Sequence, residues 1–279
     1  MKKIVLDIKK PSVINELCGT KATALVELKN MGIPVPDFYA ISILDFNLFC
    51  EVMGIGIENI YIEDTGFNKF LHDKNKFLDI IDSTRIYNIL PEGDYMVRSS
   101  SIPINDIDIC MFPSMVSGAF GSYYAANISE INNSIFKVWE STFSKKAYEQ
   151  CKIFSNKPII AGMGVVIQKY INPIISGVMH AKKDTVSINW VLGHLSKIVN
   201  GEILGNSIIV YKSKKGNYIL RGLENNILVI KNKKYENIFK LLWDIAETIY
   251  VHFKCTQEIE WLYDGEKIWI VQSQPLFEE

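Results

Sequence analysis

No stretch of this chain is apolar for long enough to cross a bilayer. The longest hydrophobic runs are broken by Lys, Asn or Asp, short of the ~20 residues that a spanning helix needs. The opening MKKIVLDIKKPS has only a few apolar residues before Asp7, too few for a signal-peptide apolar region, so a cytoplasmic location without a membrane partner is expected. An excess of one charge is missing too: 30 Lys and Arg against 31 Asp and Glu leave a net charge of -1. With no broad basic field to attract a polyanion, no nucleic-acid partner is expected. Cysteine is sparse and scattered. Cys18, Cys50, Cys110, Cys151 and Cys255 show no C-x-x-C and no Cys/His ligand spacing, which argues against a zinc module and leaves buried thiols as the expectation. A cysteine nucleophile would need one of His72, His180, His194 or His252 beside it in space. Internal repeats and low-complexity linkers are also absent.

What is present is a globular composition, 48% apolar over 279 residues, long enough for one large domain or two packed lobes. We read two lobes, 1–156 and 157–279, because the character changes after Lys157-Pro158. In the first, residues 4–8 suggest a strand. Residues 20–31 suggest a helix with Ala24, Leu25, Leu28 and Met31 on one face, stopped by Gly32, Pro34 and Pro36. Residues 38–43 and 95–100 read as strands and 134–154 as one amphipathic helix. Residues 44–90 mix two helices with polar sequence and show no evident chemistry, and a long Ser/Gly/Pro/Asp-rich stretch leads to Ser122; such stretches are usually functional. In the second, short β-rich runs at 163–171, 177–181, 187–191, 207–212, 217–220 and 227–231 are joined by one helix at 236–253. A closing hairpin, 257–263 and 267–273, flanks Asp264-Gly265-Glu266.

Three segments could carry chemistry. In Gly19-Thr20-Lys21-Ala22 a lysine in the first turn of a helix could hold a phosphate. The plainer reading is a solvated lysine beside an N-cap Thr20, and the glycines of a Walker A motif are lacking. In Val97-Arg98-Ser99-Ser100-Ser101 an arginine leaves a strand. Beyond it, Ser117-Gly118-Ala119-Phe120-Gly121-Ser122 offers small residues whose backbone N–H groups could approach phosphate oxygens. In the closing hairpin Glu258, Glu260, Gln272 and Gln274 are oxygen donors suited to hard magnesium. Strand alternation puts them on one face only if the loop has an odd number of residues. The plainer alternative is the exposed polar face of an edge hairpin.

These segments occur in the order found in the nucleotide-binding domain of the pyruvate phosphate dikinase and phosphoenolpyruvate synthase family, which the chain resembles. Gly19-Thr20-Lys21-Ala22-Thr23-Ala24-Leu25 through Gly32-Ile33-Pro34-Val35-Pro36 resembles G-G-K-G-x-x-L…G-x-P-V-P, and Val97-Arg98-Ser99-Ser100 resembles V-R-S-S. Ser117 to Ser122 resembles A-G-x-(F/Y)-x-(T/S). Val165 to Tyr170 followed by Ser176-Gly177-Val178-Met179 resembles V-V-V-Q-x-M-V…S-G-V-x-F, and the hairpin resembles D-I-E-W…L-Q-x-R-P. The resemblance implies an α+β, ATP-grasp fold of two lobes with ATP between them. It implies Lys21 and Arg98 as catalytic residues on the phosphates, with Gly118 and Ser122 near them, Gln168, Lys169 and Tyr170 at the hinge beside adenine, and Glu260 and Gln272 on Mg2+.

The chain departs from the family in three places. Gln274 stands where the family has an arginine on the transferring phosphoryl group, with Lys169, Lys182 and Lys183 as possible substitutes. Ser196 replaces an acid. His180 stands where threonine is common, a satisfied structural histidine by the plainer reading. No T-H-x-x-S-type segment occurs in the sequence. The resemblance therefore implies a phosphohistidine domain elsewhere, in cis in a longer protein or in trans, and a small-molecule acceptor. The function expected is the ATP-binding component of a dikinase-type phosphotransferase. The alternatives are a free-standing ATP-grasp ligase and a catalytically impaired nucleotide-binding module.

Overall fold

The computed structural model describes residues 11–56, 89–104, 107–108, 111–155, 159–194, 205–212, 218–222 and 233–276. The strands expected at 4–8 and 227–231, and Ser196, lie outside them. Two compact units emerge: Met1–Val26 with Asp37–Tyr170, and Glu27–Pro36 with Ile171–Glu279. Both combine helices with antiparallel sheet, the α+β class. No described helix is long and apolar enough to cross a membrane.

The first unit holds α1 (Pro11–Cys18), the start of α2 (Thr20–Asn30), β1 (Phe38–Ile41), α3 (Ile43–Met53) and β2 (Tyr95–Pro103). They are followed by α4 (Phe112–Met115), β3 (Ser122–Ala125), α5 (Ile128–Thr142), α6 (Lys145–Phe154) and β4 (Ile160–Lys169). The strands form one antiparallel sheet in the order β1-β4-β2-β3. β4 follows the change of composition at residue 157, yet its partners are β1 and β2. One face of the sheet, with Tyr95, Val97, Val165 and Ile167, packs on the aromatic side chains Phe46, Phe49, Phe136 and Trp139. The rings of Phe49 and Trp139 lie 5.3 Å apart.

The helix expected over 134–154 is two helices. α5 ends at Thr142, and Ser144 starts α6 by accepting a hydrogen bond from Ala147 N at 3.2 Å. A hydroxyl at that position competes with helix continuation and favours a new N-terminus. The helix expected from residue 20 forms, and its end is a Schellman motif: Gly32 has φ +75, Gly32 N donates to Lys29 O and Ile33 N to Leu28 O.

The second unit is a sheet in the order β10-β9-β5-β6-β7-β8, where β5 is Ile175–Ala181, β6 Val186–Leu192, β7 Asn206–Lys212, β8 Tyr218–Gly222, β9 Gln257–Tyr263 and β10 Ile268–Pro275. One face carries Met179, Ile188, Trp190, Ile208, Ile259 and Trp261 and is covered by α7 (Lys233–Phe253) through Phe239, Leu242, Trp243, Ala246 and Ile249, all buried. The segment before Asp37 joins this unit because Ile270 N donates to Pro34 O at 2.8 Å.

Candidate functional site

In the first unit, strand register decides which candidates meet. Arg98 on β2 lies opposite Val166 on β4 and Ser122 on β3, while Gln168 lies opposite Met96. Because side chains alternate along a strand, Arg98, Ser122 and Gln168 share one face, the one turned away from the aromatic core. An Arg98 Nη1–H donates to Gln168 Oε1 at 3.5 Å. Gln168 is 2% exposed and its Nε2 has no hydrogen-bond partner among the described residues. A buried amide donor left without an acceptor costs about 1–3 kcal/mol, so this face has a donor that a bound molecule could satisfy.

The turn carrying Lys21 is seated on the same face. Ala22 N donates to Ser100 Oγ at 3.1 Å, and Thr20 Oγ1 donates to Ser101 O at 3.4 Å. Thr20 is the first helical residue, with its hydroxyl turned to the strand; it does not cap the helix. Two glycines allow this seating. A Cβ on Gly19, whose φ is +86, would lie 2.2 Å from Ser100 O, and one on Gly164 would lie 2.3 Å from Cys18 O. Ser100 and Gly164 are cross-strand partners, so the α1–α2 junction rests on the sheet at one point. Lys21 is thereby fixed at the start of α2, half-buried.

Gly118 lies in the exposed turn before β3 with φ +70, and Ser122 is exposed on this edge strand. The turn is tied down by Ser99 N donating to Gly121 O and by Gly121 N donating to Ser141 Oγ at 2.8 Å. At the far end of β4, Lys169 is exposed and Tyr170 half-buried. Tyr170 N donates to Asp94 O at 2.8 Å, and its ring meets that of Tyr124 edge-on, with centroids 5.0 Å apart. Tyr124, which shares the face of Arg98 and Ser122, donates its hydroxyl to Asp94 Oδ2 at 2.7 Å. That bond holds the Tyr124 phenol above its ordinary pKa, and burial followed by the Asp94 charge does so for Tyr170. The sequence had not singled out Tyr124 or Asp94. Each is common in turns and edge strands, and only the β2–β3 register brings them to this face.

In the second unit Glu260 pairs with Gln272, and Glu258 with Gln274. All four share the face opposite α7, but not by way of an odd loop. The loop from Asp264 to Lys267 has an even count, since Tyr263 pairs with Ile268. Asp264 closes it, its Oδ1 accepting from Glu266 N and Lys267 N. The register then shifts between Ile270 and Gln272. The extra residue, Val271, forms a bulge that turns Gln272 back to the face of Glu260.

Gln272 is buried and Glu260 half-buried. Gln272 Nε2 donates to Gln274 Oε1 at 2.9 Å, and Gln274 Nε2 donates to Glu258 Oε1 at 2.7 Å. His180 on β5 lies opposite Glu258, with its Nε2 3.5 Å from Glu258 Oε2. The His180 bond holds the Glu258 carboxyl below its ordinary pKa, against burial, with help from Gln274. Lys182 and Lys183 are exposed in the β5–β6 turn, and a basic side chain beside Glu258 is His180. No group of three or more His, Cys, Asp or Glu suited to a metal occurs among the described residues. A two-residue oxygen set such as Glu260 and Gln272 suits magnesium, which keeps several waters and takes phosphate oxygens besides. Of the cysteines, Cys18, Cys50 and Cys151 are buried; Cys255 is half-buried, with Gln257 Nε2 at 3.1 Å from its Sγ, and Cys110 lies outside the described residues.

The family described as pyruvate phosphate dikinase, AMP/ATP-binding domain, matches residues 82–278, more than two thirds of the chain. A probable phosphoenolpyruvate synthase of Archaeoglobus fulgidus is 27% identical, over 93% of this chain and 40% of that protein. A rifampicin phosphotransferase of Bacillus cereus is 25% identical, over 71% of this chain and 25% of that protein. A probable phosphoenolpyruvate synthase of Pyrococcus horikoshii is 24% identical, over 93% and 42%. The chain thus spans less than half the length of each of these relatives.

Proposed function

We propose that this chain, which belongs to the family of the pyruvate phosphate dikinase AMP/ATP-binding domain, binds MgATP in an ATP-grasp manner and donates phosphoryl groups to a histidine domain. From there they pass to a small-molecule acceptor. The observation that carries the reading is the shared sheet face of Arg98, Ser122 and the orphaned amide of Gln168, with the Lys21 turn bonded to Ser100 beside it. Arg98 and Lys21 neutralise phosphate charge, the arginine through a planar fork of donors. Backbone N–H groups around Gly118, and the hydroxyl of Ser122, add neutral donors. Gln168, Lys169 and Tyr170 form the adenine side, where the free Gln168 Nε2–H meets a ring nitrogen. Glu260 and Gln272 hold magnesium, which when bound screens the charge of the phosphate oxygens.

The phosphohistidine domain acts in cis or in trans, and the setting is cytoplasmic. The relatives' greater length leaves room for such a domain in each of them. Calorimetric titration of the chain with ATP, with and without Mg2+, tests the binding step. Magnesium-dependent tightening is expected, and heats no larger than those of dilution would overturn the reading. Gln274 favours a second reading, a module that binds nucleotide but turns over poorly, because its amide is engaged with Glu258. Losing one charged donor from a transferring group costs ~100-fold or more in rate.

A further inference from the structure

Gln274 stands outside the set assigned to nucleotide and metal, yet it is joined to that set by bonds of fixed polarity. An ionised carboxylate only accepts hydrogen bonds, whereas an amide has one accepting and one donating end. Glu258 receives Gln274 Nε2 on Oε1 and faces His180 Nε2 with Oε2. With its nitrogen turned to Glu258, the Gln274 amide turns its oxygen to Gln272. Gln272 answers with Nε2 at 2.9 Å, and its own oxygen is therefore turned away from Gln274. The acceptor-only carboxylate at one end of the row favours this orientation of both amides. The row exists because the Val271 bulge brings Gln272 and Gln274 opposite Glu260 and Glu258.

We infer that Glu258, acting through Gln274, is a positioning residue that presents the amide oxygen of Gln272, and not its nitrogen, to the magnesium of bound MgATP. The inference rests on the reading of Glu260 and Gln272 as the metal-holding pair. Magnesium binds oxygen and is repelled by an amide N–H, so a reversed Gln272 loses a ligand without losing any packing. His180 steadies the carboxylate from the other side. In this account Gln274 sets an orientation where the family's arginine would bring a charge.

The test uses Mn2+ as an oxygen-seeking, spectroscopically visible probe on the chain loaded with a non-hydrolysable ATP analogue, read by electron paramagnetic resonance. Q274L, which changes no charge, is expected to weaken Mn2+ binding by ~10–100-fold, the usual loss for a partner that orients a metal ligand. Metal-free affinity for the analogue should stay unchanged. Q274M repeats the test should Q274L fold poorly. In a Q272E background, where the carboxylate offers two equivalent oxygens, the same substitution should cost less than about twofold. Equal losses in both backgrounds, or none in either, would overturn the inference. If Q272A and E260A themselves leave Mn2+ affinity unchanged, the metal reading fails, a result distinguishable from failure of the orientation alone.

Discussion

Replacing Arg98 by alanine removes the bond to Gln168 and the proposed contact with phosphate, which differ in size. The bond to Gln168 Oε1 is long, at 3.5 Å, and weakens steeply near that limit. Its loss leaves a buried carbonyl oxygen poorly satisfied, and we expect a stability decrease at the low end of the range for such groups, ~1 kcal/mol. The larger effect should fall on the nucleotide. Charge-assisted bonds from a guanidinium to phosphate are worth ~1.5–3 kcal/mol, so the ATP dissociation constant should rise by ~10–150-fold. Calorimetry gives the affinity, and urea denaturation, run in parallel, the stability. Arg98→Lys keeps the charge without the planar fork and should fall between the two. A folded Arg98→Ala variant that binds ATP as tightly as the unaltered chain would refute the placement of phosphate on this sheet face.

Gly19→Ala puts a methyl group 2.2 Å from the Ser100 carbonyl at a φ of +86. It should cost ~1–3 kcal/mol in denaturation and weaken ATP binding by displacing Lys21; undiminished stability would contradict the seating of the turn. Cys18 has its thiol raised from 9.0 to about 12 by burial and then by the Asp45 charge. Between those values the folded chain holds a proton that the unfolded chain has released, so stability falls as pH rises from 9.0 towards 12. Melting temperatures across that window should decline more steeply for the unaltered chain than for Cys18→Ala, and parallel declines would count against it. Ser144→Ala removes the cap of α6 and should lower stability by ~1 kcal/mol, measured by circular dichroism during urea denaturation.

Local chemistry made much of this fold legible. The helix from residue 20, its left-handed stop at Gly32 and the closing hairpin each depend on neighbours within a few residues. Non-local choices did not show. β4 lies beyond a change in composition, but its hydrogen-bonding partners come from earlier segments, and no local pattern names a strand's partner. The break between α5 and α6 turned on one hydroxyl, at Ser144, within a continuous apolar stripe. That Glu258, Glu260, Gln272 and Gln274 could share a face was legible, while the means of aligning them was not. A bulge at Val271 replaced the odd loop that simple alternation requires. His180 stood out in the sequence only as an oddity. Its place opposite Glu258 follows from the β5–β9 register, which the sequence does not print.

The most direct test of the account is phosphoryl transfer itself. The chain is incubated with Mg2+, ATP labelled in its phosphoryl groups, and a phosphohistidine domain supplied in cis or in trans. Label on that histidine is expected with release of AMP, the other phosphoryl group passing to water as labelled phosphate; tight ATP binding with no label on any histidine domain supplied would contradict the account.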